Sequence, residues 1–290
     1  MFDFRYHALS LMAVFIALAV GLLLGVAIGD EELVSSAKDD VRESLRDDVR
    51  QANGERDDAR TDAAEARNFI DEALPILTGG QLRGRSIGIV LLGDEAPETV
   101  RSVREALEPT GAEVELVAVV RESVDPEEIA GRAGGTRYAA LDRDEDLLDD
   151  FGRRAAIQMV EGGRLIEEVR TALLRSLSGE FGGLDGVVLM RSPGEPEDEA
   201  AADRANALED GLARGFVDAG VSTVGIERQT TDPSQISWYR ERDLSSVDNV
   251  NEAAGRAALV FALAGADGAF GTKDSAQALL PPVVGGVAGP

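Results

Sequence analysis

SIGIVLLGDEAPETVRSVREALEPTGAEVELVAVV, residues 86 to 120, reads as one βαβ unit. Ser86 to Leu92 is a short unbroken apolar run, the pattern of a strand covered on both faces. Pro97 suits the first turn of a helix, where its missing N–H costs nothing, and the spacing carries that helix through Leu107 to a stop at Gly111. Val114 to Val120 (VELVAVV), apolar but for Glu115, reads as a second strand. Strands joined by a helix rather than a tight turn are predicted to lie parallel.

Downstream the format repeats. Asp185 to Met190 (DGVVLM) reads as a strand, followed by the loop RSPGEPED from Arg191. Glu199 to Ala219 is predicted helical, and Val221 to Glu227 (VSTVGIE) is a further strand. A last helix is expected over Val250 to Leu263, with Asp248 or Asn249 capping its free N–H groups. Between the two halves, the acidic stretch LDRDEDLLDD (Leu141 to Asp150) is read as an exposed loop or helix start. Helical spacing then runs through Ile157, Ile166, Val169, Leu173, Leu174 and Leu177. The fold class is α/β, with a Rossmann-like, mainly parallel sheet over residues 78–290.

Upstream the pattern changes twice. Ala8 to Gly29 is uncharged for 22 residues, which as a helix rises about 33 Å and matches a bilayer core. Arg5 precedes this span, and Asp30, Glu31 and Glu32 follow it, so the charge bias predicts a cytoplasmic N-terminus and an exported body. The single basic residue and the length of the apolar run favour an uncleaved signal anchor over residues 1–29 rather than a cleaved leader. Within it Gly21 and Gly25 form a small-xxx-small pair, and His7 beside Tyr6 is read as an interfacial residue. Residues 30–77 are highly charged. Leu45, Ala52, Ala59, Ala66 and Ala73 recur every seven residues, as do Val49, Ala63, Ile70 and Leu77, with Arg56 interrupting the second series. This is the seam of a coiled-coil stalk. Val34 and Val41 stand in another register, a local stutter. A homo-oligomer through residues 33–77 is expected, with Pro75 and Gly79-Gly80 ending the stalk.

Composition removes whole classes of chemistry. The 290 residues carry 54 acidic against 29 basic side chains, a net charge of −25, so a nucleic-acid partner is not expected. With no cysteine and one histidine, the chain has no thiolate site, no cysteine nucleophile and no pair of imidazoles. Ser192 has no histidine in the body to activate it. Soft copper ligands are limited to Met1, Met12, Met159, Met190 and His7, of which Met159 and Met190 read as core.

Ligands of open α/β sheets gather outside the carboxyl ends of the strands, here after Leu92, Met190 and Glu227. Neither GDEAPE at Gly93 nor RSPGEPE at Arg191 carries the ordered glycines or lysine of a phosphate cradle. Asp185, Arg191, Glu227, Asp248 and Asn249 are the residues expected at this sheet edge, as a polar rim or partner-binding patch. No catalytic or cofactor-binding residue and no enzymatic activity are predicted.

The opening FDFRYHALSLMAVFIALAVGLLLG resembles the start of the actinobacterial copper-transporter family named for mycobacterial copper-transport protein B (MctB). Ser245 to Gly265, SSVDNVNEAAGRAALVFALAG, is similar to that family's run into its last helix. Gly268-Ala269-Phe270-Gly271 resembles its terminal Gly-His-Tyr-Gly, with Ala269 and Phe270 in place of His and Tyr. The resemblance implies a membrane-anchored envelope protein of copper transport or homeostasis, with copper as the metal concerned. The family's namesake is described as an outer-membrane channel, and a corynebacterial relative is associated with the septum and a partner protein. One helix per chain and an α/β body match neither a channel nor a barrel. A single-pass cell-membrane location with the body outside the cytoplasm is therefore expected rather than the outer membrane. A coiled-coil envelope scaffold binding a protein partner is the alternative.

Overall fold

The computed structural model describes residues 4–196 and 198–282. Met1 and the side chains of residues 4, 5 and 28–40 lie outside the described residues, and with them Arg5, Asp30, Glu31, Glu32 and Val34. The chain divides into two units, Met1–Ala66 and Arg67–Pro290.

The first unit is helical. Helix α1 (Phe4–Thr78) supplies it and runs unbroken through Gly54. Tyr6–Ala27 is its apolar stretch of 22 residues, long enough to cross a hydrocarbon core. Every side chain from Val41 to Ala66 is exposed, including Leu45 and Val49 of the heptad seam.

In the second unit α1 continues past Pro75 and ends at Thr78, where the Gly79-Gly80 turn takes over, Gly80 adopting φ +73°. Pro75 does not end the helix as expected. A proline removes one i−4 bond and crowds the i−4 carbonyl, and the helix runs on only as far as Thr78 beyond it. Leu74 and Thr78 are buried, whereas the seam residues Ile70 and Leu77 stay 39% and 53% exposed. The body therefore takes a face of the helix end that the heptad leaves free.

Seven strands form one sheet: β1 (Ser86–Gly93), β2 (Glu113–Val120), β3 (Leu174–Gly179), β4 (Gly186–Ser192), β5 (Ser222–Ile226), β6 (Ser245–Val247) and β7 (Ala269–Phe270). Their spatial order is β3-β2-β1-β4-β5-β6-β7. All neighbours are parallel except β2 and β3. The chain lays β2 on one side of β1 and later β4 on the other, so the winding direction switches between β1 and β4.

Both faces of the central strands are covered. Ile87, Ile89 and Leu91 pack with Val188, Met190 and Val224 beneath α2 (Pro97–Leu107) and α8 (Ala253–Leu263). Val90 and Leu92 face the other way with Leu116, Val187 and Leu189. That layer holds α3 (Pro126–Arg132), α4 (Leu147–Glu161), α5 (Arg164–Leu173), α6 (Glu199–Asp218) and α7 (Ile236–Arg240). Helices α4 and α6 meet almost backbone to backbone. A Cβ on Gly211 would lie 2.0 Å from the Asp149 carbonyl, and one on Gly215 would lie 2.2 Å from that of Arg153.

Two sequence expectations are corrected. Leu174 and Leu177 belong to β3 and not to a helix; α5 stops at Leu173, and the edge strand is bonded to β2 through pairs such as Ala118 with Leu177. Neither Asp248 nor Asn249 caps the last helix, which starts later, behind Glu252 with no side-chain cap.

Candidate functional site

Residues at and just past the carboxyl ends of β2 and β4, the strands that flank β1 at the winding switch, line a cleft of about 430 Å³. Arg121 and Glu122, just past β2, form one wall. Arg175 at the start of β3 lies beside them, and Arg191 and Glu195 from the end of β4 and its loop face them. The first two turns of α6 contribute Ala201, Ala202 and Ala205. Close approach of β1 and β4 here depends on Gly93, whose φ is +103° and whose Cβ would sit 2.1 Å from the Ser192 carbonyl oxygen.

Arg191 is held from every side. Its Nε donates to Glu209 Oε2 at 2.7 Å, Nη1 to Gln235 Oε1 at 2.6 Å and Nη2 to Asn206 Oδ1 at 3.4 Å. The guanidinium lies 5.0 Å from the Trp238 ring centroid, with Arg242 on the same ring at 4.0 Å. Burial raises the Glu209 carboxyl above its ordinary pKa, and the Arg191 charge opposes that rise. The Arg191 backbone N–H donates at 2.8 Å to the Tyr239 hydroxyl, which itself donates to the Ile226 carbonyl at 3.0 Å. That fully buried phenol is raised in pKa by desolvation. Its ring fits only because residue 225 is glycine; a Cβ there would meet the ring at 2.4 Å.

Across the same edge, Glu227 is wholly buried and accepts from Ser234 Oγ at 2.8 Å, from the Gln235 N–H and from Lys273 Nζ. Lys273 Nζ also donates to the Thr231 carbonyl at 2.7 Å. Asp248, equally buried, accepts the backbone N–H groups of Thr272 at 2.8 Å and Lys273 at 2.9 Å. Gly271 closes over it, since a Cβ there would fall 1.9 Å from Asp248 Oδ1. Thus the Ser245–Asn249 and Gly268–Gly271 segments form one structural joint, an aspartate wrapped by the turn after β7.

Of the five residues predicted at this edge, Arg191, Glu227 and Asp248 join one network through Gln235 and Lys273. Asn249 is 1% exposed, and neither of its side-chain polar atoms has a hydrogen-bond partner among the described residues. Asp185 is elsewhere. It precedes β4, so it lies at the opposite, amino edge, where its Oδ2 accepts from the Ser86 N–H at 2.9 Å. Sequence reasoning missed Arg121, Arg175, Glu209, Tyr239 and Lys273. The end of the second strand at Val120 was the available pointer to Arg121; the others arrive by long-range pairing. Met159 and Met190 are buried in the two core layers. Among the described residues, no group of three or more His, Cys, Asp or Glu side chains is placed to hold a metal ion.

A doubly wound α/β domain with a charged switch-point cleft, in a chain that also carries a span-length apolar helix, fits the class of membrane-associated α/β proteins. The chain belongs to the family described as "Copper transport outer membrane protein, MctB", whose sequence profile matches residues 1–281. It is similar to the proteins named copper transporter MctB from Mycobacterium tuberculosis and Mycobacterium bovis. It is 29% identical to each over 126 residues, which cover 43% of this chain. The match spans 40% of the length of those relatives.

Proposed function

We propose that this is a membrane-anchored envelope protein of copper transport or copper homeostasis. The observation that carries the reading is the family match over residues 1–281. The name of the mycobacterial relatives agrees with it. In this reading the apolar helix is an uncleaved, single-pass anchor in the cell membrane, the body is extracytoplasmic, and chains associate through residues 33–77 as a coiled coil. The uncovered seam at Leu45, Val49, Ile70 and Leu77 supports that association.

Copper is cargo here. A single helix encloses no polar path, so movement of the ion falls to an assembly that includes an envelope partner. The body acts as a non-enzymatic binding module. The carboxylates Glu227 and Asp248 support this, being committed to Lys273 and to backbone N–H groups. The test is deletion of the gene in its native host, scored by cell-associated copper and copper sensitivity. Complementation with the full chain should restore both, and complementation lacking residues 1–29 should not. Unchanged copper handling combined with a septation defect would overturn the reading in favour of a coiled-coil scaffold.

A further inference from the structure

We propose that the switch-point cleft binds a small zwitterion, an amino acid or dipeptide with a free amino and a free carboxyl group. Its volume of about 430 Å³ suits a small molecule, and it stands where doubly wound sheets take their ligands. The charges on the wall decide the class. Arg191 and Glu209 bind each other at 2.7 Å and cancel. Arg121 and Arg175 remain against Glu122 and Glu195, two of each sign, in a chain whose net charge is −25.

The two arginines keep donors to spare. Arg121 gives one Nη2 bond to the Thr171 carbonyl at 3.3 Å, and Arg175 reaches Asp94 only at 3.5 Å. Glu122 and Glu195 have no hydrogen-bond or ion-pair partner among the described residues. A polyphosphate would press several negative charges onto those two glutamates, and a simple cation would face two guanidiniums. A zwitterion meets both pairs, its carboxylate on the arginines and its ammonium on the glutamates. Ala201, Ala205 and Pro193 leave an apolar wall for a short side chain. The inference is independent of the copper reading.

The test is calorimetric titration of the full-length protein in detergent with the twenty L-amino acids and L-alanyl-L-alanine. We expect saturable one-to-one binding of at least one probe with Kd near or below about 1 mM. N-acetylation or carboxyl amidation of that probe should each weaken binding about tenfold or more, since each removes a charge-assisted contact. Arg175→Ala and Glu122→Gln should do the same, while the blocked probes give the answer on wild-type protein without relying on any variant's folding. Binding that survives both blocking reactions overturns the proposal, as does equal affinity for acetate or phosphate. Absence of binding by every probe up to about 10 mM also overturns it.

Discussion

Replacing Lys273 by methionine tests whether Glu227 is a structural charge. Glu227 is 0% exposed, and Lys273 is the only cation paired with it among the described residues. The substitution keeps an unbranched side chain, one atom shorter, but leaves a buried carboxylate with only the Ser234 hydroxyl and the Gln235 N–H. Breaking a buried pair on one side costs about 3–5 kcal/mol, and the lost bond to the Thr231 carbonyl adds about 1 kcal/mol. A total of about 4–6 kcal/mol should lower Tm by roughly 8–24 °C in a domain of this size. The single tryptophan, Trp238, reports the transition directly, because it packs against Arg191 and Arg242 in the same part of the sheet edge. Urea denaturation of the full chain in detergent, followed by its fluorescence, measures the loss. Adding Glu227→Gln to Lys273→Met removes the stranded charge and should recover about 2 kcal/mol. A loss below about 1 kcal/mol for the single change, or a double variant no more stable than the single, would refute a buried ion pair as the lock on the C-terminal segment.

Gly93→Ala should destabilise by roughly 2 kcal/mol or more, checked by the same denaturation, because it combines a strained positive φ with a clash on the Ser192 backbone. For Glu209 the folded carboxyl pKa lies above its ordinary 4.5. The folded state therefore holds more proton than the unfolded state just above that value, and this residue's contribution to stability falls as pH rises through the window. Glu209→Gln should flatten the stability–pH curve there. Leu45→Asp with Ile70→Asp should shift the detergent-solubilised chain toward monomer in sedimentation while sparing the body's melting transition, a seam charge weakening association about tenfold or more. An unmodified chain that is already monomeric across micromolar concentrations would count against the coiled coil. Protease treatment of intact spheroplasts should digest the body; its full protection would reverse the proposed topology. In Cu(I) titrations under reducing conditions, Met159→Leu and Met190→Leu should leave binding unchanged, because both sulfurs are buried in core.

Local pattern determined much of this protein. Largely apolar runs at Ser86 to Leu92, Val114 to Val120 and Asp185 to Met190 were legible as buried parallel strands, since a strand covered on both faces shows little polar alternation. The span-length apolar stretch of the N-terminal helix was equally visible, being continuous in the sequence. Leu174 to Gly179 was not: an edge strand buried on few positions carries a weak signal, and the preceding helix supplies a misleading continuation. The site divided in the same way. The rule that ligands gather at carboxyl ends of strands led to Arg191, Glu227 and Asp248, but it offered no way to see that Asp185 stands at the other end of the same strand. Lys273 is 46 residues from Glu227, and Tyr239 is 48 from Arg191. Partners so far apart are chosen by how helices cross the sheet and by the space left at glycines such as Gly225 and Gly271. Neighbour-to-neighbour periodicity contains no record of that space, so only the packed tertiary structure decided which charges are locked together and which line the open cleft.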